Sequence, residues 1–297
     1  MTAVTVAAQR PTAAKAIGWS VAFMLLGGAF TMAFYTAFAF IRHGGIATAA
    51  PSGPSVEYVV ATGLSQLAGF GLATWIIGVR VLGLSAVDLR WRGANAEHMT
   101  RAGSGLARGL LLGISAAALA LLVAVPAGAG WSSDRGTFAE YVGRVGLTFL
   151  ALAAPAMSEE VAFRGLPLVL LATAFGRWPA LVALALLFGA AHLLNPAVTS
   201  LGVANIALAG IFLGIAFFAP GGIWTAFGAH LGWNAALAAA DAPVSGLPFT
   251  IPFIDHHAGA PAWFTGGSFG PEGGLAATLA IAVASVVAWR WAHKESA

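Results

Sequence analysis

Residues 105–129, GLARGLLLGISAAALALLVAVPAGA, form a run long and apolar enough to cross a lipid bilayer, and seven more such runs are read along the chain. A span needs about 20 predominantly apolar residues. Inside lipid every backbone N–H and C=O must find a partner within the protein, so only helices and closed barrels survive there. A barrel would show alternating segments of about ten residues, and the sequence has none. The expected fold is therefore all-α, a polytopic transmembrane helical bundle. Its eight spans are read at about 17–41, 56–83, 105–129, 145–174, 178–195, 200–219, 222–240 and 273–292. They make one domain, 17–292, between a polar tail at 1–16 and a short tail at 293–297. The run after residue 16 is too long for the core of a signal peptide, so it is read as a first anchor. Only 8% of residues are charged, against roughly 25% in soluble domains.

The few charges carry information. Fourteen basic residues against 11 acidic ones, thinly spread over loops, exclude a nucleic-acid partner and instead report topology. With an even number of spans, Arg10, Lys15, Arg80, Arg90, Arg92, Arg101, Arg108, Arg177, Arg290 and Lys294 collect on one side, and Arg42, Arg135 and Arg144 on the other. That asymmetry places both termini in the cytoplasm. Arg outnumbers Lys, and Ala and Gly are abundant, a composition that fits a bacterial cytoplasmic membrane. The chain has no cysteine, which removes disulfides, thiol catalysis and cysteine metal sites.

The fourth span is the odd one. Thirty helical residues would reach about 45 Å, beyond a hydrocarbon core of about 30 Å. It must tilt, kink near Pro155, or begin as an in-plane helix. Inside it lies SEEVAFRG, residues 158–165, with three formal charges. Counting ionisable groups that cannot reach a loop gives Glu159, Glu160, Arg164, His192 and His230. Such residues are functional candidates because an unpaired charge at mid-bilayer is costly. Glu160 and Arg164, four apart, share a helix face and can pair. Glu159 is rotated about 100° away and needs another partner or a proton. Burial suits it to general acid or base work. Phe188 and His192 are four apart on one later span, as are His230 and Asn234 on another. Lone membrane histidines are usually hydrogen-bonded core residues, and the small residues around them are ordinary membrane packing. A glutamate and two histidines can nonetheless hold a water, with or without a zinc ion. An asparagine beside a histidine offers donors to an oxyanion.

Glu-Glu-x-x-x-Arg at 159–164, Phe-x-x-x-His at 188–192 and His-x-x-x-Asn at 230–234, each on its own span and in this order, resemble the CPBP family of intramembrane proteases, which comprises CAAX proteases and bacteriocin-processing enzymes and is also called the Abi family. The resemblance covers about 145–240, and VSGLPF with the later WFTGGSFGPEGG resembles a tail of many bacterial members. It implies an endopeptidase acting on a membrane-associated peptide or protein. Glu159 and His192 would activate the attacking water. His230 and Asn234 would stabilise the oxyanion. Glu160 and Arg164 would position their helix, with Phe188 in support. Members are described as metalloproteases or as metal-independent glutamate proteases. A zinc ion, if used, would take Glu159, His192 and His230. The reading favours a metal-free site, because an oxyanion role occupies His230.

Other chemistries fit less well. There is no His-Glu-x-x-His for a zinc protease of that type. Gly266–Gly270 matches Gly-x-Ser-x-Gly, but Ser268 lies in a Gly-rich loop rather than at a strand-to-helix elbow. Two other classes stay open: a catalytically silent scaffold or immunity protein of the same fold, and a proton-coupled transporter, against which the lack of an internal repeat counts. By the charge rule His192 and Asn234 lie toward the non-cytoplasmic side, so prenyl processing of cytoplasmic proteins is not inferred.

Overall fold

The chain's apolar runs form helices that meet the lipid requirement for internal hydrogen bonding. The computed structural model describes residues 11–43, 55–91 and 97–294. The expected tail at 1–16 is thus described only from residue 11, and Arg10, Arg92 and residues 295–297 lie outside the described residues. Helix α1 (Ala13–His43) runs antiparallel to α2 (Val56–Ala73), which continues to Val81 as a wider π-helical stretch. Then come α3 (Glu97–Ala124), strand β1 (Gly130–Ser133), α4 (Phe138–Phe163), α5 (Leu166–Phe175), α6 (Arg177–Ala191), α7 (Ser200–Phe218) and α8 (Ile223–Ala239). Strand β2 (Ile254–His257), a single turn α9 (Ala262–Thr265) and α10 (Leu275–Lys294) complete it.

Among the described residues six helices are long and apolar enough to cross a membrane. The other two expected spans are the shorter α6, 15 residues, and α8, 17 residues. Helix α8 needs no lipid-spanning length because it is buried nearly all round, from Ile223 to Ala238.

The overlong fourth span, open from sequence to a tilt, a kink near Pro155 or an in-plane start, divides into α4 and α5 after Phe163. Helix α4 passes through Pro155 unbroken, with Gly63 of α2 closely opposed to the proline ring. The break comes at Gly165. The amides of Arg164 and Gly165 both donate back to the Glu160 carbonyl, at 2.8 and 2.9 Å. Pro167, which has no amide to continue the ladder, sits in the first turn of α5. A side chain at 165 would strike the Val161 carbonyl, so only glycine makes this corner.

Close packing of α3 on the parallel α8 sets the position of the central helix. Gly105, Gly109 and Gly113 recur every four residues and face Thr225, Ala229 and Trp233, while Gly228 and Gly232 face Leu106 and Leu110. Small residues at this spacing let two backbones touch. A methyl group at Gly113 would run into the Ala229 carbonyl, whereas one at Gly18 meets nothing. Gly113→Ala should therefore destabilise the purified protein by about 1–3 kcal/mol, read as a lower melting temperature in detergent. Gly18→Ala should be neutral or stabilising, since alanine favours a helix by up to about 1 kcal/mol over glycine.

The two ends of the bundle differ in chemistry. At one end Arg90 donates to the carbonyls of Phe217, Phe218 and Ala219, at 3.1, 3.2 and 3.1 Å, and so caps α7. Burial and the neighbouring Arg177 lower its pKa to about 10. Arg177 lies over Phe218, and Arg108 over Trp291. At the other end β1 pairs antiparallel with β2, Gly130 opposite His257 and Ser133 opposite Ile254. Asp241 accepts from the Ile251 amide at 2.7 Å, and Trp131 donates to the Ala240 carbonyl at 2.8 Å. These bonds fold the 241–274 connection back over the helix ends.

Candidate active site

Helical spacing separates the two adjacent glutamates. Glu160 turns into the protein and is fully buried, whereas the Glu159 side chain keeps 29% of its exposure. Arg164, at the end of α4, reaches back one turn to Glu160 Oε1 at 3.0 Å. Its guanidinium lies 4.2 Å from the centre of the Phe188 ring and donates to the Gly210 carbonyl at 3.4 Å. The expected Glu160–Arg164 pair is therefore present, but it is not closed. His230 Nδ1 stands 2.8 Å from the same Glu160 oxygen. A carboxylate that already accepts from arginine can only accept again, so Nδ1 carries its hydrogen toward Glu160. The other ring nitrogen, Nε2, faces Glu159 Oε2 at 3.7 Å. His230 is thus the nearest charged or titratable neighbour of Glu159 Oε2, without a hydrogen bond between them.

His192 ends α6. Its Nδ1 is 2.8 Å from the Phe188 carbonyl, which can only accept, so Nε2 is the unprotonated nitrogen of the neutral ring. Phe188 is the spacer of the site. Its ring makes edge contacts with Phe163, His192 and His230, at centroid distances of 5.2, 4.9 and 6.1 Å. Glu159, His192, His230 and Asn234, from α4, α6 and α8, line one cavity of about 450 Å³. Asn234 lies one helical turn beyond His230 on α8. Glu159 Oε2 is buried and takes no hydrogen bond from the described residues.

The donor set does not fit a zinc ion as it stands. Among the described residues no three His, Asp or Glu side chains converge at ligand spacing. His230 Nε2 and Glu159 Oε2, 3.7 Å apart and with Glu160 holding the other ring nitrogen, could share an ion, but no third ligand joins them among the described residues. Ser268 is exposed in a 3₁₀ turn, Gly267–Phe269, and is absent from the cavity wall.

One further carboxylate of the cavity, Glu272, comes from outside the apolar spans. Glu272 lies in the Gly-rich connection, yet it is only 8% exposed and lines the cavity. Its Oε1 accepts from Trp233 Nε1 at 3.0 Å, and its Oε2 from the Ser245 hydroxyl at 2.9 Å and from the Ser245 amide. Asn205 of α7 donates to the carbonyls of Glu272 and Gly274 at 2.8 and 2.9 Å, and Asn195 to the Ser245 carbonyl at 2.9 Å. These bonds turn residues 244–249 into a wall of the cavity, with Val244, Leu247 and Phe249 facing it. The available signal is PEGG within a connection that carries no Lys or Arg to pair with the glutamate.

Residues 141–236 match the family described as type II CAAX prenyl endopeptidase Rce1-like. No curated protein and no solved structure matches the chain.

Proposed function

We propose that this multi-pass membrane protein, whose residues 141–236 match the Rce1-like CAAX protease family, is an endopeptidase that hydrolyses a membrane-associated peptide or protein with water activated by Glu159 and His192. The observation that carries this reading is the gathering of Glu159, His192, His230 and Asn234 around one cavity. Glu159 and the unprotonated Nε2 of His192 are the acceptors for a proton of water. The hydroxide oxygen bonds the scissile carbonyl carbon, and the carbonyl oxygen takes up the negative charge. His230, fixed through Nδ1 by Glu160, donates from a protonated Nε2 to that oxygen, together with the Asn234 amide. Collapse of the intermediate breaks the C–N bond, and the proton held by Glu159 or His192 passes to the leaving amine. In this reading Glu160, Arg164 and Phe188 are positioning residues. The chain sits in a bacterial cytoplasmic membrane with cytoplasmic termini, in line with the basic residues gathered at one end of the bundle.

Purified protein in lipid nanodiscs, presented with a library of quenched fluorescent peptides, is expected to cleave a subset of them. Cleavage should persist, within about twofold, after treatment with a strong zinc chelator. Loss on chelation with recovery on added zinc would overturn the metal-free step. Failure of folded protein to cleave any member would overturn the peptidase reading.

A further inference from the structure

Resting on the peptidase reading of the same cavity, we propose that one face of α2 holds the substrate: a peptide lies extended along Tyr58, Thr62 and Gln66, and the Gln66 amide donates to one of its backbone carbonyls beside Glu159. The three residues recur every four positions, so they share a helix face, and all three line the cavity. The chemistry drawn from α4, α6 and α8 uses none of them. Helix α2 comes close against α4 at Gly63, where a methyl group would strike the Pro155 ring. About one turn further on, Gln66 Oε1 accepts from the Ser158 hydroxyl at 3.0 Å. Ser158 is buried and directly precedes Glu159. That bond fixes Gln66 alongside the residue read as the base.

The hydrogen bonds on this face leave groups to spare. The contact with Ser158 uses only the carbonyl half of the Gln66 amide. Among the described residues Gln66 Nε2 has no partner, so its hydrogens are available to the cavity. Thr62 Oγ1 spends its one hydrogen on the Tyr58 carbonyl at 2.7 Å and keeps its lone pairs. The face thus offers an acceptor at 62 and a donor at 66, about 6 Å apart along the axis. An extended peptide repeats the backbone groups of one edge about every 6.5 Å. Polar side chains also join membrane helices to one another. That role accounts for the Gln66 carbonyl and Ser158, but not for the unbonded amide or for polar residues at 58 and 62 on the same face.

The test uses a peptide that the wild-type protein in nanodiscs cleaves. Gln66→Met keeps the length of the side chain and removes the donor. It should raise KM about 3–10-fold, the worth of one neutral hydrogen bond. Its kcat should stay within about twofold of wild type, because ground and transition states lose the same contact. A purely helix-joining role would instead lower the melting temperature and leave KM unchanged. Thr62→Val, which removes an acceptor, should raise KM in the same way and decides the matter if Gln66→Met does not fold. Binding is read apart from cleavage in Thr62→Cys, the sole thiol of a chain without cysteine. Its reaction with a maleimide should slow as the peptide is added. Unchanged KM in the folded variants, or labelling that the peptide does not slow, overturns the proposal and leaves the peptidase reading standing. Labelling slowed by library peptides that are never cleaved keeps the binding face and removes the peptidase reading. If no library peptide is cleaved or slows labelling, both fall.

Discussion

Glu159→Gln is expected to lower kcat by about 10²–10⁴-fold, the usual contribution of a general acid or base. The amide keeps the shape of the side chain but has no carboxylate to take a proton from water. Its effect on stability should be small, because the Glu159 side chain keeps 29% of its exposure and meets His230 only at 3.7 Å. A melting temperature within about 2 °C of wild type, beside lost cleavage in a single-turnover assay, would separate chemistry from folding. Retention of more than a tenth of the activity would remove Glu159 as the base. His192→Ala should lower kcat in the same assay, and the two losses should be far from additive, because both residues act on one water.

The second large effect is on stability. Arg164→Met removes the cation from a fully buried carboxylate and leaves Glu160 with His230 alone. Breaking a buried ion pair by removing one partner costs about 3–5 kcal/mol. The lost contact of the guanidinium with the Phe188 face adds to that. Activity should fall as well, since Glu160 would no longer be held where it fixes His230. Adding Glu160→Gln to Arg164→Met should restore part of the stability, because the stranded charge disappears, but not the activity. A double-mutant cycle on reversible unfolding in detergent reads this as a coupling energy above about 1 kcal/mol. Simple additivity would mean that the pair is not coupled and that Glu160 does not need Arg164.

The elements read best from sequence are those for which lipid leaves one solution. All eight apolar runs became helices, because a backbone in hydrocarbon must bond within its own segment. The pair at 160 and 164 was legible for the same local reason, four residues being one helical turn. The third member, His230, lies 70 residues away, and its bond to Glu160 depends on how α8 packs on α4. Pro155 is a helix breaker by type, yet α4 runs on through it, with Gly63 of α2 close against its ring. The true break was encoded in Arg-Gly-Leu-Pro at 164–167, where glycine supplies the corner and proline withholds an amide. Glu272 escaped because a carboxylate in a Gly-rich connection looks solvated. Its burial depends on donors from α8 and from residue 245 that only the folded connection brings to it. The π-helical stretch at Thr74–Val81 had no sequence marker, and nothing in the local composition accounts for it.

The glycines between α3 and α8 also bear on how this protein can vary. Gly105, Gly109, Gly113, Gly228 and Gly232 are absent from the cavity wall, yet each already touches the facing helix, so none has room for a methyl group. Helix α8 carries His230 and Asn234 and has no slack against α3 with which to absorb an added atom. A genetic screen for inactive variants would therefore recover two kinds of position. Hits at the cavity would give abundant, silent protein. Hits along the glycine seam would give protein that is scarce, although every reacting group is intact.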